Sequence, residues 1–395
     1  MHNTINIKDD LIWLGGSDRR ITIFEGAYPV SDGMSYNAYL LKDEKRVLID
    51  TVDKEIAGVF FENLEYALGD DTLDYVIVQH VEPDHSATLK ELTVRYPDVK
   101  IICSKQAVNM IRQFYGIEHE TQVVKEGDVF SSGRHELTFV NAPMVHWPEV
   151  IMTYDKTDKI LFSADAFGSF GAHNGAISDD APNFSFDAYL PEARRYYANI
   201  VGKYGSQVSA VLNKAAALDI ECICPLHGVI WKSHIRDIVD IYGKWAAYEP
   251  EKDGVVIFYG SIYGNSANSA DILAGRLASK GVGVRVMDMS MKHPSDALAA
   301  VFEYSRIVII SSTVDAGIFS RISYMLDSFL AHNICRRKVA IIDNGTWAPM
   351  AGKLIREKLA TLKDLTILDE SFSIKSSLTP EQAEVEMERL AEALL

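Results

Sequence analysis

The chain has 395 residues, 48% of them hydrophobic and 24% charged, a composition that excludes disordered and fibrous classes and predicts a soluble globular protein. Its formal net charge of -16 repels nucleic-acid phosphates and anionic lipid, so no nucleic-acid partner and no membrane surface is expected. No run of ~20 apolar residues predicts a transmembrane helix. The N-terminal MHNTINIKDDLIWL lacks the basic-then-apolar pattern of a signal peptide.

Apolar alternation broken by Gly, Asn and Asp predicts strands in LIWLGG, ITIFEG, SYNAYLLKD and RVLID over residues 1–50. Helical spacing follows over 54–68, then a short buried strand in DYVIV (74–78). The turn QHVEPDHSATL (79–89) leads into a helix at 86–92. A strand at 97–104 and a helix at 105–116 come next, then strands TQVV, ELTFVNAP, VIMTYD and KILFSAD. The stretch YLPEARRYYANIVGKYGSQVSAVLNKAAAL is predicted helical. ECICPLHG is a strand, and a further helix is expected from about Trp231 to Tyr248. The polar EPEKDG (249–254) reads as a linker, dividing the chain into 1–249 and 250–395. Beyond it, GVVIFYG, GVRVMDM, SRIVIISS, KVAIIDN and LTILDE alternate with helices at 265–280, 294–304, 317–332, 350–361 and 380–394. Five βα units in regular alternation predict a doubly wound parallel sheet.

Chemistry concentrates in the turn after 74–78. His80, Glu82, Asp84 and His85 place four metal-ligand types within six positions. His146, Asp165 and His227 each follow a predicted strand end, where layered α/β folds gather site residues. One histidine beside a strand is commonly a hydrogen-bonded core residue; the grouping carries the inference. Imidazoles and carboxylates without a thiolate suit a first-row ion of hard to borderline character. Seven ligands exceed one tetrahedral zinc and suit two ions with a carboxylate between them. Asp165, isolated in the sequence, is the expected bridge. His173, in FGAHNG, is a supporting hydrogen bonder, a substrate-pocket group or an exposed loop residue, the last two being favoured. His119, His135, His234, His293 and His332 are expected at the surface. Cys103, Cys222, Cys224 and Cys335 form no C-x-x-C pair and are expected to be buried free thiols, as in a reducing cytoplasm.

In the C-terminal part, YGSIYGNSANSA (259–270) opens a helix. Ser261, Ile262, Tyr263, Gly264, Asn265 and Ser266 there present hydroxyls and amides where a helix N-terminus favours phosphate. With no G-x-G-x-x-G and no P-loop lysine, a monophosphate is expected. The loop closely resembles the FMN phosphate loop of flavodoxins. That resemblance implies that two further strand ends enclose the flavin ring. One is Ser312, Thr313, Val314, Asp315, Ala316 and Gly317. The other is Asn344, Gly345, Thr346, Trp347 and Ala348, with Trp347 placed to stack. Thr313–Ala316 departs from the P-T-Y-N of many flavodoxin-like domains, bringing an acid where they have an aromatic.

The H-x-E-x-D-H turn is similar to the H-x-H-x-D-H turn of metallo-β-lactamase-like hydrolases, with Glu82 replacing the middle histidine. Together with the later His146, Asp165 and His227, the stretch SADAFGSFG and the FMN-type domain, it resembles the flavodiiron proteins (A-type flavoproteins) over essentially the whole chain. The resemblance implies a metallo-β-lactamase-like αββα sandwich followed by a flavodoxin-like doubly wound parallel sheet. It implies two non-haem iron ions, one on His80, Glu82 and His146, the other on Asp84, His85 and His227, with Asp165 bridging. It also implies FMN, and a cytoplasmic oxidoreductase that reduces dioxygen to water, nitric oxide to nitrous oxide, or both. An external electron donor, rubredoxin or a reduced deazaflavin or flavin carrier, and a head-to-tail homodimer or dimer of dimers complete the expectation. Two other readings compete: a dinuclear zinc hydrolase with a fused electron-carrier domain, and a non-catalytic carrier whose metal is structural.

Overall fold

A computed structural model describes residues 1–395, which divide into two units, Met1–Gly243 and Lys244–Leu395. In the first, strands Ile5–Asn6, Leu11–Trp13, Tyr39–Lys42, Arg46–Ile49, Tyr75–Val78, Lys100–Ser104 and Thr121–Val124 pair in chain order in one sheet. The last four are parallel, and helices Ala57–Leu68, Leu89–Arg95 and Lys105–Tyr115 make the crossovers that parallel pairing requires. Strands Val129–Ser131, Glu136–Asn141, Ile151–Asp155, Ile160–Phe162 and Cys222–Cys224 form a second sheet, again in chain order. Trp13, Tyr39, Ile77 and Ile102 of the first sheet share one core with Phe139, Ile160, Phe162 and Cys224 of the second. Alternate side chains of each strand thus face the layer between the sheets, and each large one stabilises it by about 1.5–3 kcal/mol. This is the two-sheet sandwich expected of a metallo-β-lactamase-like unit.

In the second unit, strands Lys252–Gly260, Gly283–Asp288, Tyr304–Val314, Arg337–Asn344 and Leu365–Ile367 are parallel, in the order second, first, third, fourth, fifth. Val255, Ile257, Val308, Ile310, Ala340 and Ile342 pack against Leu273, Leu277, Met387 and Leu390 of two helices. The order reverses beside the first strand, so a crevice opens at the carboxyl ends of the first and third strands. This is the flavodoxin-like sheet.

Several boundaries differ from expectation. SYNAYLLKD breaks into Met34–Tyr36 and Tyr39–Lys42, because Asn37 between them leaves the ladder to donate to Pro225 O and Gly228 O, both at 2.9 Å. The long helix is interrupted: Phe186–Tyr196, a wider turn at Tyr197–Val201, then Gly205–Ala215. Trp231 is fully buried and bridges Ile223, so the next helix begins only at Ile235. The first strand of the second sheet unit starts at Lys252, inside the predicted linker. Gly317–Ile318 folds back on Thr313–Val314 as a hairpin, delaying the next helix to Ser320. Cys335 is half-buried rather than buried, while the other three thiols are buried; all four are free.

His135 is a larger correction: it is fully buried, not at the surface. Its Nδ1 lies 2.7 Å from Asp155 Oδ2 and its Nε2 3.0 Å from Asp10 Oδ2, while its amide donates to Asp43 Oδ2 at 2.9 Å. Arg134 donates to the same Asp10 oxygen at 2.7 Å and to Asp158 at 3.1 Å. Burial opposes an imidazolium here, but Asp155 and Asp10 outweigh it and push His135 up to about 9. A raised folded-state value means the charge stabilises the fold fully below the ordinary histidine range, and that this contribution fades as pH climbs through the raised value. Wild type should therefore exceed His135→Gln by on the order of 2 kcal/mol near pH 6, with the gap closing near pH 10. Thermal melts of both proteins across that span check it; a pH-independent gap would mean that the imidazole is neutral in the fold.

Candidate functional site

The strand Tyr75–Val78 of one sheet, and Ile160–Phe162 and Cys222–Cys224 of the other, end at the same edge of the sandwich. Their outgoing turns carry His80–His85, Asp165 and His227, and the loop between Glu136–Asn141 and Ile151–Asp155 adds His146. Asp84 and His85 sit in a one-turn helix, Pro83–Ser86, which projects them side by side. All seven predicted side chains converge in two sets. In the first, His80, Glu82, His146 and Asp165 offer ligand atoms within 4.8 Å of one another. In the second, Asp84, His85 and His227 do the same.

Asp165 faces both sets. Its Oδ2 is 3.3 Å from His80 Nε2 and 3.1 Å from His146 Nε2; its Oδ1 is 3.1 Å from His85 Nε2 and 3.9 Å from His227 Nε2. Glu82 Oε2 closes the first set at 3.1 Å from His80 and 2.9 Å from His146, and Asp84 Oδ2 closes the second at 3.2 Å from His85 and 3.1 Å from His227. Ligands bound at about 2.1 Å to one first-row ion stand about 3.0–3.4 Å apart, so these separations suit a shared cation. Buried atoms without a hydrogen-bond partner lie in the same place: Asp84 Oδ1, His85 Nε2, His146 Nε2 and Asp165 Oδ1. Orphaned buried polar atoms are costly, and a metal ion satisfies them together. Burial opposes charge on the imidazoles, yet Asp165 and Glu82 push His146 up to about 9 and His80 well above its usual range. Bound cations would displace those protons.

Supporting contacts aim the rings. His80 Nδ1 lies 2.8 Å from Glu149 Oε1, which also accepts the Val81 amide at 3.0 Å. His227 Nδ1 donates to Ser35 O at 2.6 Å, leaving Nε2 for the site. Asp50, fully buried in a left-handed backbone conformation (φ 55°), accepts the Gln79 amide at 2.8 Å and fixes the start of the ligand turn. Burial pushes its carboxyl up to about 6. Gly228 allows His227 its position: at φ 73°, any Cβ would lie 2.1 Å from the Tyr189 hydroxyl. His173 is buried, which removes the exposed-loop reading; its Nε2 meets Asn37 Oδ1 at 3.0 Å, and Asn37 in turn holds the carbonyls flanking Leu226 and His227. Burial, with Arg19 adding to it, lowers His173 to about 4, so the ring is neutral. Phe24, Tyr36 and Tyr196 pack around His227, and Trp147 lies edge-on to His80. Glu149, Ser35, Asp50 and Asn37 were not anticipated. Only Glu149 had a sequence signal: an acid three residues after His146, ahead of an apolar strand.

In the second unit, a cavity of about 560 Å3 opens at the crevice. Its wall includes Ser261–Tyr263, Asn265 and Ser266, the run Ser312–Ala316, and Asn344–Ala348, together with the unforeseen Ser376. Gly264 and Gly317 shape the loops rather than the wall: Gly264 precedes the helix Asn265–Ser279 at φ 91°, and Gly317 pairs with Val314. No side chain caps that helix, so its first amides, at the Asn265 and Ser266 of the cavity wall, are not spent on a capping side chain. Thr313 Oγ1 is occupied, accepting the amides of Met350 and Ala351 at 3.0 and 3.2 Å. Asp315 and Ala316 make a two-residue turn, both at positive φ, which sets that loop at the rim. Tyr263 and Trp347 are each 90% exposed, leaving the rim open. The size, the uncapped helix and the flanking loops fit a mononucleotide.

A family model described as ODP family beta lactamase matches residues 34–228, the stretch that carries all seven clustered side chains. The chain is 30% identical over 391 residues to the anaerobic nitric oxide reductase flavorubredoxin of Shigella flexneri, spanning 97% of this chain and 80% of that one. A flavo di-iron protein of Thermotoga maritima, solved as a single-histidine variant, is 28% identical and covers 100% of both chains with a TM-score of 0.91. The chain belongs to the flavodiiron proteins. This flavodiiron protein also matches the rubredoxin oxygen:oxidoreductase of Desulfovibrio gigas, at 27% identity and a TM-score of 0.91, over 99% of this chain and 98% of that one. It is an enzyme of the flavodiiron oxidoreductase class.

Proposed function

We propose that this flavodiiron protein reduces dioxygen to water, nitric oxide to nitrous oxide, or both, at two iron ions, with electrons passed through FMN. His80, Glu82 and His146 hold one iron, Asp84, His85 and His227 the other, and Asp165 lies between them. The observation that carries this reading is the division of Asp165, one carboxylate oxygen toward each set of imidazoles. Glu82 adds an oxygen donor and negative charge, which favours iron over zinc and weighs against the hydrolase reading. The walls of the second-unit cavity hold FMN, with its phosphate on the helix that follows Gly264. Residues 1–249 serve the irons and 250–395 the flavin. When bound, the metals and the flavin supply electrons, four for dioxygen and two for a pair of nitric oxide molecules. The chain's own part is to hold and aim: Glu149 and Ser35 set the tautomers of His80 and His227, and the aromatic walls keep bulk water from the gas.

The names of the relatives support an external electron carrier of the rubredoxin kind, and a reduced deazaflavin or flavin carrier is the other candidate. A head-to-tail homodimer or dimer of dimers belongs to the same reading, and gel filtration of active enzyme decides it. No helix is long and apolar enough to cross a membrane; the free thiols fit a cytoplasmic location.

Anaerobically purified protein, reduced through its flavin, tests the function. A pair of irons per chain and consumption of at least one gas are expected, and rates for both gases with one donor rank the substrates. A pair of zinc ions with esterase activity would instead support the hydrolase. Iron-loaded protein that consumed neither gas would leave only an electron carrier.

A further inference from the structure

The amino ends of the parallel strands in the second unit gather positive charge, in a chain whose net charge is -16. A cavity of about 260 Å3 there is lined by Arg306, Arg336, Arg337 and Lys338, with the hydroxyl residues Ser305 and Thr366. The only acids in its wall are Asp253 and Asp364. Asp253 is spent on Arg306, 3.0 Å away, and accepts from the Ser305 hydroxyl at 2.9 Å. Asp364 meets Arg336 through its backbone, the Arg336 amide donating to its carbonyl at 2.7 Å.

Arg337 is the central observation. It is 3% exposed, and no carboxylate pairs with it. Its Nε donates to Val301 O at 2.9 Å, and its Nη1 donates to Tyr248 O at 2.7 Å and Arg336 O at 3.0 Å. Burial lowers its guanidinium to about 10. Arg336 Nη1 is used on Ala247 O at 3.0 Å, and neither Arg336 nor Lys338 has a carboxylate partner. Service to carbonyls at nearby helix ends explains Arg337 Nε and Nη1 and Arg336 Nη1. It does not explain why three successive cations, Arg336, Arg337 and Lys338, converge on one concavity beside Arg306. A buried cation without counter-charge is costly, and an anion relieves that cost.

We propose that this cavity binds a small, multiply charged oxyanion of the phosphate class. Guanidinium groups recognise such oxygens through paired, charge-assisted hydrogen bonds, and Ser305 and Thr366 supply hydroxyl donors. The site is separate from the flavin phosphate loop. Strand Tyr304–Val314 begins at the cavity and ends at the flavin cleft, and the six steps from Arg306 to Ser312 span roughly 20 Å.

Calorimetric titration of the flavin- and iron-loaded chain with inorganic phosphate and with pyrophosphate, at constant ionic strength set with chloride, tests the proposal. Saturable binding is expected in wild type. The double variant Arg336→Gln/Lys338→Gln should weaken it about tenfold or more, the loss of at least one charge-assisted hydrogen bond, with flavin absorbance unchanged. Arg337 stays untouched because its carbonyl bonds support the fold. Wild type that took up neither anion would overturn the proposal. So would a double variant that bound as wild type does, since phosphate attracted to the irons or to a vacant flavin site survives those substitutions.

Discussion

Asp165→Asn is expected to abolish paired metal binding and gas reduction while leaving flavin bound. Asp165 is 1% exposed, and burial alone would raise its carboxyl; His85, His80 and His146 outweigh this and hold it well below the usual range. Each oxygen serves a different set of imidazoles. An amide keeps one oxygen and turns an N–H2 toward the other set, where a cation needs an electron pair. It also removes a negative charge from a buried site that must balance two cations. Turnover should fall by about 100-fold or more, beyond the range usual for outer contacts of a metal site. Iron content should drop with it, and FMN absorbance should hold, because the flavin cavity is built from the other unit. Iron content and turnover both surviving would show that Asp165 is not the bridge.

Glu149→Leu should lower metal affinity about 10–100-fold, the range for a lost partner of a ligating histidine. Glu149 is 1% exposed and holds His80 Nδ1 at 2.8 Å, which orients Nε2 toward Glu82 and Asp165. Leucine is close in volume, so the change removes the acceptor and not the packing. Glu149→Gln retains an acceptor without the charge and should lose less. The half built on Asp84, His85 and His227 should hold its metal better than the half built on His80. Competition with a chelator, followed as release of successive metal ions, reads this order. Equal affinity in all three proteins would reduce Glu149 to a packing role.

The ligand turn was legible because its chemistry is local. A short apolar run, then imidazoles and carboxylates at close spacing, has few uses other than a metal. The flavin loops were legible for a similar reason: small hydroxyl residues at the end of a buried strand, opening a helix, mark a phosphate end. What misled was burial that depends on distant partners. His135 sits in the turn SSGRHE and reads as exposed, yet Asp155 and Asp10, 20 and 125 residues away, enclose it. His173 lies among glycines and reads as a pocket group or an exposed loop residue more readily than as a supporting hydrogen bonder, but its ring is buried and meets Asn37, 136 residues earlier.

By itself, the sequence determined the alternation of elements, the seven ligand-type side chains and the phosphate-type loop, since each follows from residue type and spacing within a short window. Only the tertiary structure decided which carboxylate and carbonyl set the His80 and His227 imidazoles, and where Arg337 is buried without a carboxylate partner. Those depend on strand ends from two sheets meeting at one edge, and on contacts between residues far apart in the chain, which no local pattern encodes.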